Sequence, residues 1–130
     1  MKPAANPVAT EAVLVDVPRS ESQWAAGTGL LAAYFDWLAP LAGVESVPAV
    51  QPAARDELAD LAGVYRRPRH RFLLGTQGRL PVGIVGLRPE AEPEVVELVR
   101  FYSRPAARGA GVGTAVLSAA VAAAVDLGFE

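Results

Sequence analysis

The sequence contains no cysteine, so neither a disulfide nor a thiolate metal site can form. It contains one histidine, His70, which leaves little basis for a zinc centre or a histidine-based catalytic triad. No stretch has the Leu, Ile and Phe density of a membrane span. The glycine- and alanine-rich segment toward the C-terminus carries Thr114 and Ser118 instead. Residues 1–10 hold Asn6 and two prolines and lack the apolar centre of a signal peptide, so a cytoplasmic protein is expected. A strong excess of one charge is missing too. The net charge is −2, which gives no general reason to expect a nucleic-acid partner. What remains is 130 residues, 52% hydrophobic and 20% charged, the profile of one globular domain with a modest core.

The chain divides into periodic segments. Residues 11–17 alternate and stop at Pro18, which predicts a first strand. Ser20 is placed to cap a helix in which Trp24, Leu30, Leu31, Tyr34, Leu38 and Leu41 recur at helical spacing; Pro40 and Gly43 mark its end. Residues 44–52 read as a loop. Pro52 opens a second helix through Tyr65, with Leu58, Leu61 and Tyr65 on one face and Arg55, Asp56 and Asp60 largely off it. Residues 69–76 and 80–88 read as antiparallel strands joined by Gln77-Gly78, and residues 89–93 as a turn. Residues 94–103 form a fourth strand limited by Pro105. The last helix, residues 115–127, is Val, Leu and Ala apart from a stripe of Thr114, Ser118 and Asp126, so burial on most sides is expected, with Gly128 as its cap.

Between the fourth strand and that helix lies Arg104-Pro105-Ala106-Ala107-Arg108-Gly109-Ala110-Gly111-Val112-Gly113-Thr114. Glycines let a backbone turn tightly and bring its amides near a ligand. The helix behind them starts with unpaired N–H groups and a partial positive charge, where a phosphate fits. The positive half of the chain carries this loop: residues 66–130 hold nine arginines and six acids, against three bases and eight acids before them. A P-loop would need a lysine after its last glycine, but Thr114 follows Gly113 directly. A dinucleotide fingerprint would need G-x-G-x-x-G, but the spacing here is G-x-G-x-G. A tight strand-to-helix turn with no ligand is the alternative.

The spacing R-x-x-G-x-G, read as Arg108, Gly111 and Gly113 behind Phe101-Tyr102-Ser103, resembles the acetyl-CoA loop of the GNAT superfamily, the general N-acetyltransferases. Leu73-Leu74-Gly75, then Gln77-Gly78-Arg79-Leu80-Pro81-Val82-Gly83, resembles the family's central hairpin. Glu97-Leu98-Val99-Arg100-Phe101-Tyr102 resembles the strand that leads into the loop. The likeness is specific from about Leu73 onward and loose before it. It implies an α/β fold of α+β type, a mixed but mainly antiparallel sheet in the order β-α-α-β-β-β-α. It implies acetyl-CoA as acyl donor and a small-molecule or peptide amine as acceptor. Tyr102 and Ser103 would pair with the pantetheine arm. Arg108, Gly109, Ala110, Gly111, Val112, Gly113 and Thr114 would hold the pyrophosphate. Family members continue past the position of Glu130 into a fifth strand, a further helix and a final hairpin. A tyrosine on that helix often acts as general acid, and the resemblance carries no such residue over to this sequence. The expectation is therefore a single N-acetyltransferase-like domain over residues 1–130, C-terminally incomplete, whose fourth strand has an open edge suited to a second copy or another chain.

Amine acetylation needs an uncharged nitrogen, and a carboxylate can take its proton. Glu97 is the candidate. Period-two alternation puts it on the face of Val99, Phe101 and Ser103 unless a bulge intervenes. A surface Glu97 paired with Arg100 is the other reading. A backbone N–H near Ser103 could polarise the carbonyl. Trp24, Tyr34, Phe35 and Trp37 suit either an acceptor pocket or the core. The run Arg66-Arg67-Pro68-Arg69-His70-Arg71 suits a solvated loop better than a nucleic-acid patch. A non-catalytic acyl-CoA-binding or protein-interaction module is the alternative to an enzyme.

Overall fold

Four strands form one sheet in the order β1-β2-β3-β4 in the computed structural model, which describes residues 12–92, 94–109 and 111–129. They are β1 (Val13–Asp16), β2 (Arg71–Gln77), β3 (Leu80–Pro89) and β4 (Val96–Ser103). Every neighbouring pair is antiparallel. The expected first strand begins at Glu11, which lies outside the described residues, as do Pro93, Ala110 and the ends of the chain. The β2–β3 hairpin turns on Gly78-Arg79, one residue later than the sequence suggests. Gln77 pairs with Leu80, and Gly78 at φ 63 takes the first central position, which favours glycine.

Helix α1 (Glu21–Ala42) packs on one face of the sheet. The Ser20 hydroxyl caps it by accepting from the Gln23 N–H at 3.2 Å. Gly43, at φ 72, closes it as the sequence suggests, with Pro40 inside the last turn. Leu30, Leu31, Phe35 and Ala39 recur on its inner side and are buried against Phe72, Leu74 and Ile84 of the sheet. Leu31 and Phe35 are essentially sequestered from water, worth about 2–3 kcal/mol each.

The expected loop at residues 44–52 contains one helical turn, α2 (Val47–Val50), whose Val47 is buried in the same core. The second expected helix is broken in two, α3 (Pro52–Ala59) and α4 (Leu61–Tyr65). Asp60 is the break. It leaves helical geometry at φ −155, ψ 75 and its carboxylate accepts from the Gly63 N–H at 3.0 Å. A short acidic side chain that bonds to nearby backbone competes with the helix ladder and starts a new helix in its place.

Helix α5 (Val112–Asp126) covers the opposite face through Val112, Val116, Ala120 and Ala123. Its burial is less complete than its composition suggests. Leu117, Val121 and Val125 are 42%, 57% and 65% exposed, because the sheet covers one side only and no described element covers the other. Strand β3 lies between the two helical layers, and its residues 82–87 are buried throughout.

Candidate functional site

The C-terminal end of β4 runs through Arg104 into a short 3-10 turn (Pro105–Ala107), then into the glycine loop. The Arg104 N–H still donates to Val82 O at 2.7 Å, so the strand is anchored to its last residue. Gly109 and Gly111 take φ 91 and φ 81, conformations that favour glycine, and Gly111 is the N-cap of α5. No side chain caps this helix. Ala115 makes the bond back to Gly111 O at 3.0 Å, and helix geometry leaves the amides of Val112, Gly113 and Thr114 outside that ladder.

Those three residues border a cleft of about 430 Å³. Tyr102, Ser103, Arg108, Gly109, Gly111, Val112, Gly113 and Thr114 all line it. The structure thus brings together every described residue that the sequence placed on the donor, with Trp37 and Phe101 in addition. Arg108 folds back across the cleft wall. Its Nε donates to Ser103 O at 3.1 Å, and its guanidinium stands 5.7 Å from the Tyr102 ring and 6.0 Å from Trp37. The positive end of α5 and one arginine supply the charge, with no carboxylate among the lining residues. That charge balance suits an anion.

Glu97 stands elsewhere. Between Ile84 and Gly86, β3 advances two residues while β4 advances from Tyr102 back to Val99, so β4 carries an extra residue. Arg100 is at that bulge, with φ 57. The alternation of faces resets there. Beyond the bulge, Phe101 and Ser103 lie beside Gly113 at the start of α5. Before it, Glu97 is opposite Arg88 on the other face and accepts from Arg88 Nε at 2.8 Å. The expectation that Glu97 shares a face with Phe101 and Ser103 therefore fails, and its ion-pair partner is Arg88 rather than Arg100. Arg100 pairs with Glu57, a residue the sequence did not single out.

The other candidates separate cleanly. Phe35 is buried, and Trp24 and Tyr34 pack against the core around it. Of the four aromatics on α1, Trp37 alone reaches the cleft. The basic run is a turn leading into the first residue of β2, and two of its arginines meet distant parts of the chain. Arg66 lies over the Trp24 ring and Arg71 pairs with Asp126 at 2.9 Å. Among the described residues no group of acidic or histidine side chains could hold a metal ion, and no helix is long and apolar enough to cross a membrane.

A strand end delivered by glycines to an uncapped helix is the arrangement of proteins that hold a phosphorylated ligand at that terminus. The family model of the GNAT acetyltransferases matches residues 31–130, and the chain belongs to that family. The fold agrees with solved members. A GNAT-family acetyltransferase from Staphylococcus aureus Mu50 superposes with TM-score 0.65 at 13% identity, over 88% of this chain and 68% of its own. The PaiA N-acetyltransferase of Thermoplasma acidophilum, in complex with coenzyme A, gives 0.64 at 17%, over 91% and 75%. An aminoglycoside 6′-N-acetyltransferase complexed with coenzyme A gives 0.61 at 13%, over 91% and 57%. Among curated protein sequences none matches this chain.

Proposed function

We propose that this chain is a cytoplasmic enzyme that transfers an acetyl group from acetyl-CoA to an amine by direct attack, the acceptor being a small molecule or a peptide. Gly113 is the observation that carries the reading. Gly109 and Gly111 are required by their positive φ, and those two suffice for the turn. Gly113 lies within α5, where a Cβ would meet Ser103 Oγ at 3.8 Å and the Phe101 ring at 4.0 Å, ordinary contact distances. Neither backbone nor packing asks for glycine there, and in a helix it costs about 1 kcal/mol relative to alanine. Its bare backbone instead opens the cleft onto the helix amides, where a pyrophosphate fits.

In this reading the backbone of Tyr102 and Ser103 pairs with the pantetheine arm. Arg108, Gly109, Ala110, Gly111, Val112, Gly113 and Thr114 hold the pyrophosphate, with Arg108 adding the one full positive charge. Two of the structural relatives hold coenzyme A, which supports the donor class. The relative named for an aminoglycoside shares only 13% identity, so its acceptor does not carry over.

Glu97 is the proposed base. Its side chain is 39% exposed and held by one partner, so it can exchange Arg88 for an amine or a bridging water. Glu57, the buried carboxylate on the same face, is fully engaged. An amide NMR titration with acetyl-CoA tests the donor site. Saturable shifts at Ser103, Arg108, Gly109 and residues 111–114 are expected, and their absence would sink the assignment. Thiol release with a panel of amines then tests turnover, with Glu97→Gln expected to slow it on the order of a hundredfold.

A non-catalytic acyl-CoA-binding or interaction module is the second reading. The position of Glu97, off the cleft and paired with Arg88, favours it. Donor binding without thiol release for any amine would select it. β4 is an edge of the sheet among the described strands, and pairing of a second copy along it would appear as a concentration-dependent mass in sedimentation.

A further inference from the structure

Among the described residues Glu57 is the one buried charged side chain, and it is not part of the cleft lining. It reaches from α3 to Arg100 on β4, across 43 positions of sequence. Arg100 Nη2 donates to Glu57 Oε2 at 2.7 Å, and Nε lies 3.2 Å from each carboxylate oxygen. Tyr65 Oη donates to Oε1 at 2.9 Å. The guanidinium also stands 4.9 Å from the Phe35 ring. The side chains of Glu57 and Arg100 are 4% and 12% exposed. Opposite the bulge, Gly86 has no room for a Cβ, which would come within 2.6 Å of Tyr65 Oη, so the network is pressed directly against the strand pair.

Arg100 is also the residue whose backbone departs from the sheet, at φ 57, a conformation an arginine rarely adopts without support from its surroundings. The extra residue has a large consequence. A strand shifted by one position turns every side chain to the other face. Without the bulge, Tyr102 would point to the α5 face, and Phe101 and Ser103 would point away from the start of α5.

We propose that Glu57, supported by Tyr65, is a positioning residue that clamps Arg100 in its bulged conformation and so decides which side chains of β4 form the cleft wall. The proposal deepens the acyl-donor reading of that cleft and rests on it for its effect on binding. Glu57 does not touch the cleft and acts through the strand alone.

The test uses Glu57→Gln, Arg100→Asn and the double variant in the full chain. Asparagine tolerates positive φ but has no guanidinium. Cross-strand NOEs read the register with no ligand present. Each variant is expected to keep the Gly86–Val99 pairing and to lose or split the Ile84–Tyr102 and Gly83–Ser103 pairings. Acetyl-CoA binding by calorimetry is expected to weaken about tenfold, a size typical of coupling through a packed network. The double variant should be no worse than either single one, as expected when both act through one contact. Native register in the folded variants overturns the proposal. Unfolding of all three also overturns it, because the pair would then hold the core and not the strand. If the unaltered chain binds no acetyl-CoA, the acyl-donor reading fails, while the ligand-free register still decides whether the clamp exists.

Discussion

On the α1 face of the sheet the buried side chains include Phe35, Tyr65, Phe72 and Tyr102, with the Glu57–Arg100 pair set among them. The core cluster on the α5 face is aliphatic, with Val82, Val85, Val112, Val116, Ala120 and Ala123 at its centre. Large rings on the α1 face surround a polar network that reaches the strand. Small residues let α5 come close. A Cβ on Gly83 would lie 3.0 Å from Val112, and one on Gly75 would lie 3.2 Å from Val116. One face shapes the course of β4, and the other sets a helix N-terminus against its end. The cleft forms where the two results meet.

The comparison can be broken first on the aromatic side. Phe72→Ala should cost about 3–5 kcal/mol, because a ring that touches Trp24 and Tyr65 leaves a cavity rigid helices cannot fill. Val116→Ala on the aliphatic side should cost about 2 kcal/mol, since less volume is lost. Urea midpoints measure both, and equal losses would show that the faces do not differ in kind. Tyr65→Phe should cost about 1 kcal/mol at neutral pH through the lost hydrogen bond to Glu57. It should also change the alkaline limb. Burial, then the nearby Glu57 carboxylate, push the Tyr65 phenol above its ordinary 10.0. The folded chain keeps that proton where the unfolded chain releases it. The resulting stabilisation is complete below pH 10.0 and declines above it, and the phenylalanine variant should lack that decline.

Local chemistry made much of this readable. Ser20 and Gly43 bound α1 because a cap is a short-range bond, and the glycine loop is marked by its own residues. The clamp was hidden. A glutamate in a helix at position 57 reads as solvated, and its partner lies 43 residues away. The bulge was hidden as well, since Arg100 is no glycine and nothing in its neighbourhood marks a positive φ. That one residue misplaced Glu97, because alternation carries an undetected insertion to every position beyond it. Trp37 shares helical spacing with core aromatics, and only its 45% exposure separates it from them.

The smallest change bears most directly on the cleft. Gly113→Ala should raise the urea midpoint, by up to about 1 kcal/mol of stability, since the backbone is helical and the space is there. In the proposed reading the same methyl group stands where the donor approaches. Stability and calorimetric affinity for acetyl-CoA measured on this single variant should therefore move in opposite directions, with binding about tenfold weaker or worse. A variant that is more stable and binds acetyl-CoA as tightly as the unaltered chain would show that the donor does not lie against the start of α5.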